Sequence, residues 1–456
     1  MMLFYIKNPM KLLDEERDMT YFNNVLLLGT GPTAIQLAVN FKKILNSKVA
    51  IAGRESLRSN LFFKAIIEHQ LALKVSIQNT KHQSVAGECT IDSFFKGYDT
   101  ICGNWDTVIL SVTTDAYLSV LAEIDSKVLK EAKCFILVSP TFGSSHLITN
   151  FLKNLAPQTE VISFSTYYGD TRWIGGIPSN EVLTTGVKKK VYIGSTYSKS
   201  DRLENLIELF HHLGIGLKKV ASPLEAETRN ISLYVHPPLF MNDFSLQAIF
   251  DEKAMTKYVY KLYPEGPITY TMIRLLLNYW KEMMAIVSHF NIQPLNLLKF
   301  MVDDNYPLLP ASIARQEIEN FSKLEPIHQE YLLYIRYASL LIDPFSMPTQ
   351  EGRYFDFSAV PIRKVFKNHD EEWDIPRMPK EDYYRVKIIQ GIVKALKLTS
   401  PTLDHFVQTY EEKLLQVVAF SENQRFSEAF QLKSFSQEIE MICKELLLGR
   451  GQKIEK

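Results

Sequence analysis

The stretch Val25-Leu-Leu-Leu-Gly-Thr-Gly-Pro-Thr-Ala-Ile35 constrains this chain more than any other. A short apolar run ends in Gly29-Thr30-Gly31-Pro32-Thr33-Ala34. An apolar-periodic segment follows at once, with Ile35, Ala38, Phe41 and Leu45 at helical spacing. Strand, glycine turn and helix in that order form the context in which G-x-G-x-x-G/A marks a dinucleotide site. Gly29 permits the tight turn, and Gly31 lets the backbone approach a pyrophosphate. The small Ala34 lets helix and strand pack closely, and the helix N-terminus aims at the anion. Taken alone, the hexapeptide also fits a plain glycine turn between strand and helix.

At 456 residues the chain is too long for one ordinary core, so two or more domains are expected. Hydrophobic content of 46% with 22% charged residues describes a soluble globular protein. The 51 basic and 51 acidic residues cancel, which argues against a generic binder of nucleic acid or anionic membrane. Cys89, Cys102, Cys134 and Cys443 are scattered and form no C-x-x-C pair. Neither a structural zinc site nor a disulfide framework is expected, and a cytoplasmic location fits. No apolar run approaches the roughly 18 residues that a membrane helix needs. Residues 1–21 lack the order of a signal peptide and read as an N-terminal appendage.

The second apolar run, Val49-Ala-Ile-Ala-Gly-Arg54, ends where the second strand of a dinucleotide fold would end. NAD-preferring folds commonly carry an acid there for the ribose 2′-hydroxyl, whereas an arginine suits a 2′-phosphate. Arg58, four residues on, is placed to reach the same phosphate, so NADPH is the expected cofactor. The competing view makes both arginines solvated loop charges.

Further strands are expected at Lys74–Gln78, Trp105–Val112, Cys134–Ser139, Val161–Thr166 and Val191–Ser195, with helices or loops between most of them. Continuous apolar runs of this kind suit parallel strands covered on both faces. Residues 22–222 thus read as an α/β, doubly wound, mainly parallel Rossmann domain. Near Ser222-Pro223 the texture changes. Helical patterns follow at Pro267–Phe290, Glu330–Ile342, Asp382–Leu398, Thr402–Phe420 and Ser427–Leu448, so 223–456 reads as a mainly α-helical substrate and dimerisation domain. Asp343-Pro-Phe-Ser-Met-Pro348 reads as a proline-rich connector.

Ser111–Tyr117 and Ser139–Ser145 follow strand ends, where such sheets line their cofactor crevice. Asp170 lies in a third polar cluster, and by itself reads as a cap or turn residue. Lys188-Lys189-Lys190 reads as a solvated edge. His236 precedes Pro237-Pro238, so it is not expected in the middle of a helix. It falls where two domains should meet, and a histidine there can take or give a proton near neutral pH. On its own it also reads as a satisfied structural histidine.

Many blocks together carry a resemblance: GTGPTAIQLA, VSPTFGS, ISFSTYYGDTR, LTTGVKKKVYIGST, SPLEAETRN, SLYVHPPLFMNDFS, YKLYPEGPIT, WKEMMAI, LIDPFS, YFDFSAVP and IPRMPKEDYYR. From about residue 23 to near the C-terminus the chain resembles the opine metallophore dehydrogenases, on the side of their staphylopine-forming branch. The resemblance implies reductive condensation, driven by NADPH, of a histidine-derived aminobutyrate intermediate with a 2-oxo acid. Pyruvate is favoured and 2-oxoglutarate is the relatives' alternative. It also implies a homodimer and no metal in the enzyme. The family's cofactor turn falls on Gly29, Thr30, Gly31 and Pro32, and its phosphate-selecting arginine on Arg54, with Arg58 nearest to its second basic residue. Its catalytic histidine falls on His236 and the partner aspartate on Asp170. Arg229, Asn230 and Thr269 are weaker candidates for holding substrate carboxylates. The competing expectations are an ordinary NADP-dependent 2-oxo or hydroxy acid dehydrogenase and a non-enzymatic NADP sensor.

Overall fold

A computed structural model describes residues 21–341, 350, 356, 358–420 and 424–454. Residues 1–20 of the expected appendage and the Asp343–Pro348 connector lie outside the described residues.

Twelve strands precede the helical part of the chain: β1 Asn24–Leu28, β2 Lys48–Gly53, β3 Ala72–Ile77, β4 Gly87–Thr90, β5 Ser93–Lys96, β6 Thr107–Leu110, β7 Cys134–Leu137, β8 Glu160–Phe164, β9 Gly169–Trp173, β10 Glu181–Val187, β11 Lys190–Ser195 and β12 Gly216–Lys219. Eight form the main sheet in the order β12-β11-β8-β7-β6-β1-β2-β5. The run β5-β2-β1-β6-β7-β8 is parallel throughout, as in a dinucleotide-binding fold. β11 joins antiparallel to β8, and β12 pairs parallel with β11. Every residue of β6, β7 and β8 is buried, which explains their unbroken apolar runs.

The sequence reading missed a second sheet, β4-β3-β10-β9. It packs on the Pro32–Leu45 helix and claims the Lys74–Gln78 segment that was expected in the main sheet. β3 and β10 alternate between buried and partly exposed residues and β4 and β9 between partly exposed and exposed ones, so their apolar signal is diluted. Asp170 lies in β9, within a strand rather than in a turn.

Among the described residues beyond Lys219 the regular elements are helices, apart from the two-residue pair Phe366–Lys367 and Trp373–Asp374. Helices run at Tyr270–His289, Pro326–Ala338, Arg377–Ala395, Pro401–Ala419 and Ser436–Ile454, close to the expected segments. The main sheet separates two cores. Val25 and Leu27 face one, with the Pro32–Leu45 helix and the small sheet. Leu26 and Leu28 face the other, which is continuous with the apolar interior of the helical part. Lys190 forms an ion pair with Asp304, so this end of the lysine run is a tie between the two parts rather than a solvated edge.

The chain passes between the two parts along Ser222–Thr228. At Gly194 in β11, a Cβ would lie 2.2 Å from the Ser222 carbonyl oxygen, so only glycine admits the linker there. Glu227 is buried and accepts hydrogen bonds from the amides of Gly143 (2.9 Å) and Ser145 (2.7 Å) and from the Ser163 hydroxyl (3.0 Å). It thereby caps the Ser144–Leu152 helix from across the domain junction. Burial pushes its carboxyl up from 4.5 to about 7, against those hydrogen bonds.

The folded chain therefore holds a proton on Glu227 that the unfolded chain releases. Its contribution to stability is full below about pH 4.5 and is lost as pH rises through about 7. A shift of that size corresponds to about 3 kcal/mol. Glu227→Gln removes this dependence. Calorimetry from pH 5 to 8 is expected to show the difference in unfolding free energy moving in the variant's favour as pH rises; a difference independent of pH contradicts the titration.

Candidate active site

Between β1 and β6 the strand order reverses, which opens a crevice beyond their carboxyl ends. Gly29 enters it with φ +121°, and a Cβ there would lie 3.0 Å from the Ser111 hydroxyl. That hydroxyl donates to the Leu28 carbonyl at 2.8 Å, so Ser111 braces the turn. A Cβ on Gly53 would lie 2.4 Å from the Thr30 methyl, so the bare end of β2 makes room for the turn. At Gly31 a Cβ would meet no atom within 4 Å, which leaves the space open on the crevice side. The Pro32–Leu45 helix starts on Gly31 with Pro32 in its first turn, no side-chain cap and no acid in that turn. Its positive end is therefore left to an anion.

Arg54 and Arg58 are exposed just beyond β2. Ser59 donates to the Arg54 carbonyl at 2.5 Å, and the Ser56 side chain caps the Leu57–Glu68 helix, fixing the loop that carries Arg54 and the first turn that carries Arg58. Gly29, Thr30, Gly31, Pro32, Arg54 and Arg58 thus come together at one edge of the crevice. An open glycine, an uncapped helix start and two exposed guanidinium groups fit a dinucleotide carrying an extra phosphate.

His236 sits on the helical side. Contrary to expectation it lies inside a helix, Ser232–Phe240, which continues through Pro237 and Pro238. Each proline lacks an amide donor and so costs a backbone hydrogen bond. Burial of Leu233, Tyr234, Val235, Leu239 and Phe240 against the Tyr270–His289 and Arg377–Ala395 helices outweighs that loss. The ring is one-fifth exposed and packs edge-on against Phe240, its neighbour one turn on.

His236 Nδ1 faces the Met378 sulfur at 3.1 Å and Asp382 Oδ1 at 3.6 Å. Both are acceptors, so they favour the tautomer protonated on Nδ1, with the lone pair on Nε2. Asp382 is fully buried and forms an ion pair with Arg385, which also reaches the Ser232 carbonyl at 3.4 Å. The second Asp382 oxygen has no hydrogen-bond partner. Sequence reasoning gave Asp382 no role, although it lies in the IPRMPKEDYYR block, because only the fold brings that block to His236.

The aspartate in contact with His236 is Asp382, and Asp170 is held on the other part of the chain. It is exposed on β9, where it binds Arg172 and accepts from the Thr185 hydroxyl at 2.8 Å. The three candidates for holding carboxylates are engaged in structure. Arg229 pairs with Glu225 at 3.1 Å and donates to the Gln293 carbonyl at 3.0 Å. Asn230 accepts from the Ser232 amide at 3.1 Å, and Thr269 caps the Tyr270–His289 helix. Among the described residues there is no group of histidine, cysteine and acid side chains that could hold a metal ion, and no helix is long and apolar enough to cross a membrane.

The family model for staphylopine dehydrogenase matches residues 23–446. Staphylopine synthase of Staphylococcus aureus strain Mu50 is 45% identical over 430 residues, covering 94% of this chain and 99% of that protein. Pseudopaline synthase of Pseudomonas aeruginosa strain UCBPP-PA14 is 33% identical over 395 residues, covering 87% and 90%. The NADP+-bound structure of yersinopine dehydrogenase superposes with a TM-score of 0.87 at 27% identity, covering 94% of this chain and all of that one. This chain belongs to the staphylopine dehydrogenase family.

Proposed function

We propose that this chain uses NADPH to condense a histidine-derived aminobutyrate intermediate with a 2-oxo acid, pyruvate first, giving a staphylopine-like metallophore. The observation that carries this reading is His236, held through Nδ1 by Asp382 and Met378 with Nε2 free, on a chain 45% identical to staphylopine synthase. In the condensation the primary amine attacks the ketone carbon, and the carbinolamine loses water to give an imine. Addition of a hydride to the imine carbon and a proton to its nitrogen gives the secondary amine. NADPH bound in the crevice supplies the hydride. Gly29, Thr30, Gly31 and Pro32 shape its pyrophosphate seat, while Arg54 and Arg58 hold the 2′-phosphate. His236 Nε2 takes the ammonium proton so that the amine can attack, then returns a proton to the departing hydroxyl. Asp382 keeps the ring in the tautomer that this requires. Asp170, across from the helical part, is a second carboxylate for the same substrates.

The reaction itself is tested by mass spectrometry of mixtures containing enzyme, NADPH and either pyruvate or 2-oxoglutarate, with and without the amine. NADPH loss that needs the amine, with a product mass equal to amine plus oxo acid minus one oxygen, is expected. Equally fast loss without amine would make the chain an ordinary 2-oxo acid reductase, and NADPH binding without any turnover would make it a sensor.

His236→Ala is expected to lower kcat by about a hundredfold or more, with NADPH affinity unchanged. Asp382→Asn is expected to lower kcat by about tenfold or more, again without weakening NADPH. Steady-state kinetics and cofactor titration read both, and an unchanged kcat in either removes that residue from the mechanism. Arg54→Asp is expected to weaken NADPH by roughly a hundredfold, about 3 kcal/mol, and NADH far less. Equal loss for both cofactors contradicts the phosphate assignment.

A further inference from the structure

Arg336 lies in the last turn of the Pro326–Ala338 helix and is only 3% exposed. One of its nitrogens, Nη2, donates to the Tyr306 carbonyl at 2.9 Å. Nε and Nη1 are buried and have no hydrogen-bond partner. A helix C-terminus favours a cation, but that does not satisfy two N–H donors. Leaving a buried guanidinium half-paired is costly. Burial accordingly lowers its pKa to about 10, against the pull of Tyr337, Tyr260 and Tyr306.

The Pro326–Ala338 helix packs against the Tyr270–His289 helix, on which the Ser232–Phe240 helix that carries His236 also packs. The Tyr260 phenol feels Arg336 and Asp382 in opposite directions, and Asp382 is the carboxylate beside His236. The Tyr306 phenol feels both Arg336 and Asp170. Arg336 and Asp382 thus share Tyr260 as a neighbour, and Arg336 and Asp170 share Tyr306. The Tyr337 hydroxyl is also buried without a partner. Burial raises the Tyr260 and Tyr337 phenols, so both stay protonated and able to donate. Two buried, unpaired guanidinium nitrogens and nearby phenol donors match a planar anion with two oxygens.

We infer that Arg336 anchors a substrate carboxylate through Nε and Nη1, with Tyr337 as auxiliary donor. Both substrates of the proposed condensation carry carboxylates, so the inference rests on that reading for the ligand's identity. The anchored group belongs to the 2-oxo acid or to the amine, and the kinetics decide which.

The test uses full-length enzyme loaded with NADPH, comparing wild type with Arg336→Lys and Arg336→Gln. In Arg336→Gln the KM for one carboxylate substrate is expected to rise at least about thirtyfold, with the other KM and the NADPH dissociation constant changing less than about threefold. Lysine, a single-point donor, is expected to recover only part, and added guanidinium chloride at millimolar concentration to recover part in the glutamine variant. A rise in the pyruvate KM assigns the oxo acid, and a rise in the amine KM assigns the amine. Both KM values unchanged in folded variants overturn the proposal. If neither variant folds, crystals of the wild-type NADP+ complex soaked with oxamate or with the amine decide. A carboxylate bidentate on Arg336 supports the assignment, and one seated elsewhere in both soaks overturns it. Wild-type enzyme that shows no amine-dependent turnover refutes the proposed reaction instead, and the oxamate soak still reads Arg336 independently.

Discussion

The site depends on one carboxylate that has no countercharge. Glu227 is held by two backbone amides at the start of the Ser144–Leu152 helix and by the Ser163 hydroxyl of β8. The helix start and β8 belong to the dinucleotide-binding part, while Glu227 stands at the entry to the helical part. The same segment crosses β11 at Gly194, where no side chain would fit. His236 follows nine residues later, on a helix that packs into the core beneath. The position of His236 relative to the crevice is thus fixed by hydrogen bonds to oriented dipoles rather than by an ion pair. Such bonds are directional, and they draw on the helix dipole without adding a second buried charge. The cost is desolvation, seen in the raised carboxyl pKa of Glu227.

That anchoring works because the two parts share a core. The face of the main sheet carrying Leu26, Leu28, Val108 and Leu110 is continuous with the interior that holds Tyr234, Leu239 and Ile389. An interface made only of polar ties, such as Lys190–Asp304, would hold the histidine loosely, since partly exposed pairs contribute little. Continuous apolar burial supplies the stiffness, and the polar contacts choose the register.

How legible this was in the sequence follows the same division. The parallel strands announce themselves because both faces are buried. The glycine turn is legible because its spacing is local, and Arg54 follows from its register with that turn. The small sheet was missed because its strands alternate and its pairs are distant in sequence, with β3 beside β10. His236 stands out in the sequence, but its helix does not, since the rule against residues before proline holds locally and is overridden by packing from two other helices. Asp382 was invisible as a partner for a different reason. Nothing in the sequence states that the Arg377–Ala395 helix crosses beside Ser232–Phe240. Arg229, Asn230 and Thr269 look like recognition residues by type, yet caps and linkers use the same polar groups.

The arrangement of charge across the cleft argues for an order among its groups. Asp382 is buried and already paired with Arg385, so it can orient an imidazole without drawing a cationic substrate away from it. Asp170 is exposed on β9, paired with Arg172, and free to exchange that partner for an ammonium group at little cost, because exposed ion pairs are weak. Two aspartates of the same type are thereby separated in role by solvation. In the proposed reaction the buried one would hold the imidazole, and the exposed one would be open to a charged substrate. A single aspartate serving both ends would have to be desolvated to fix the ring and solvated to receive an amine, and no one position in this fold offers both.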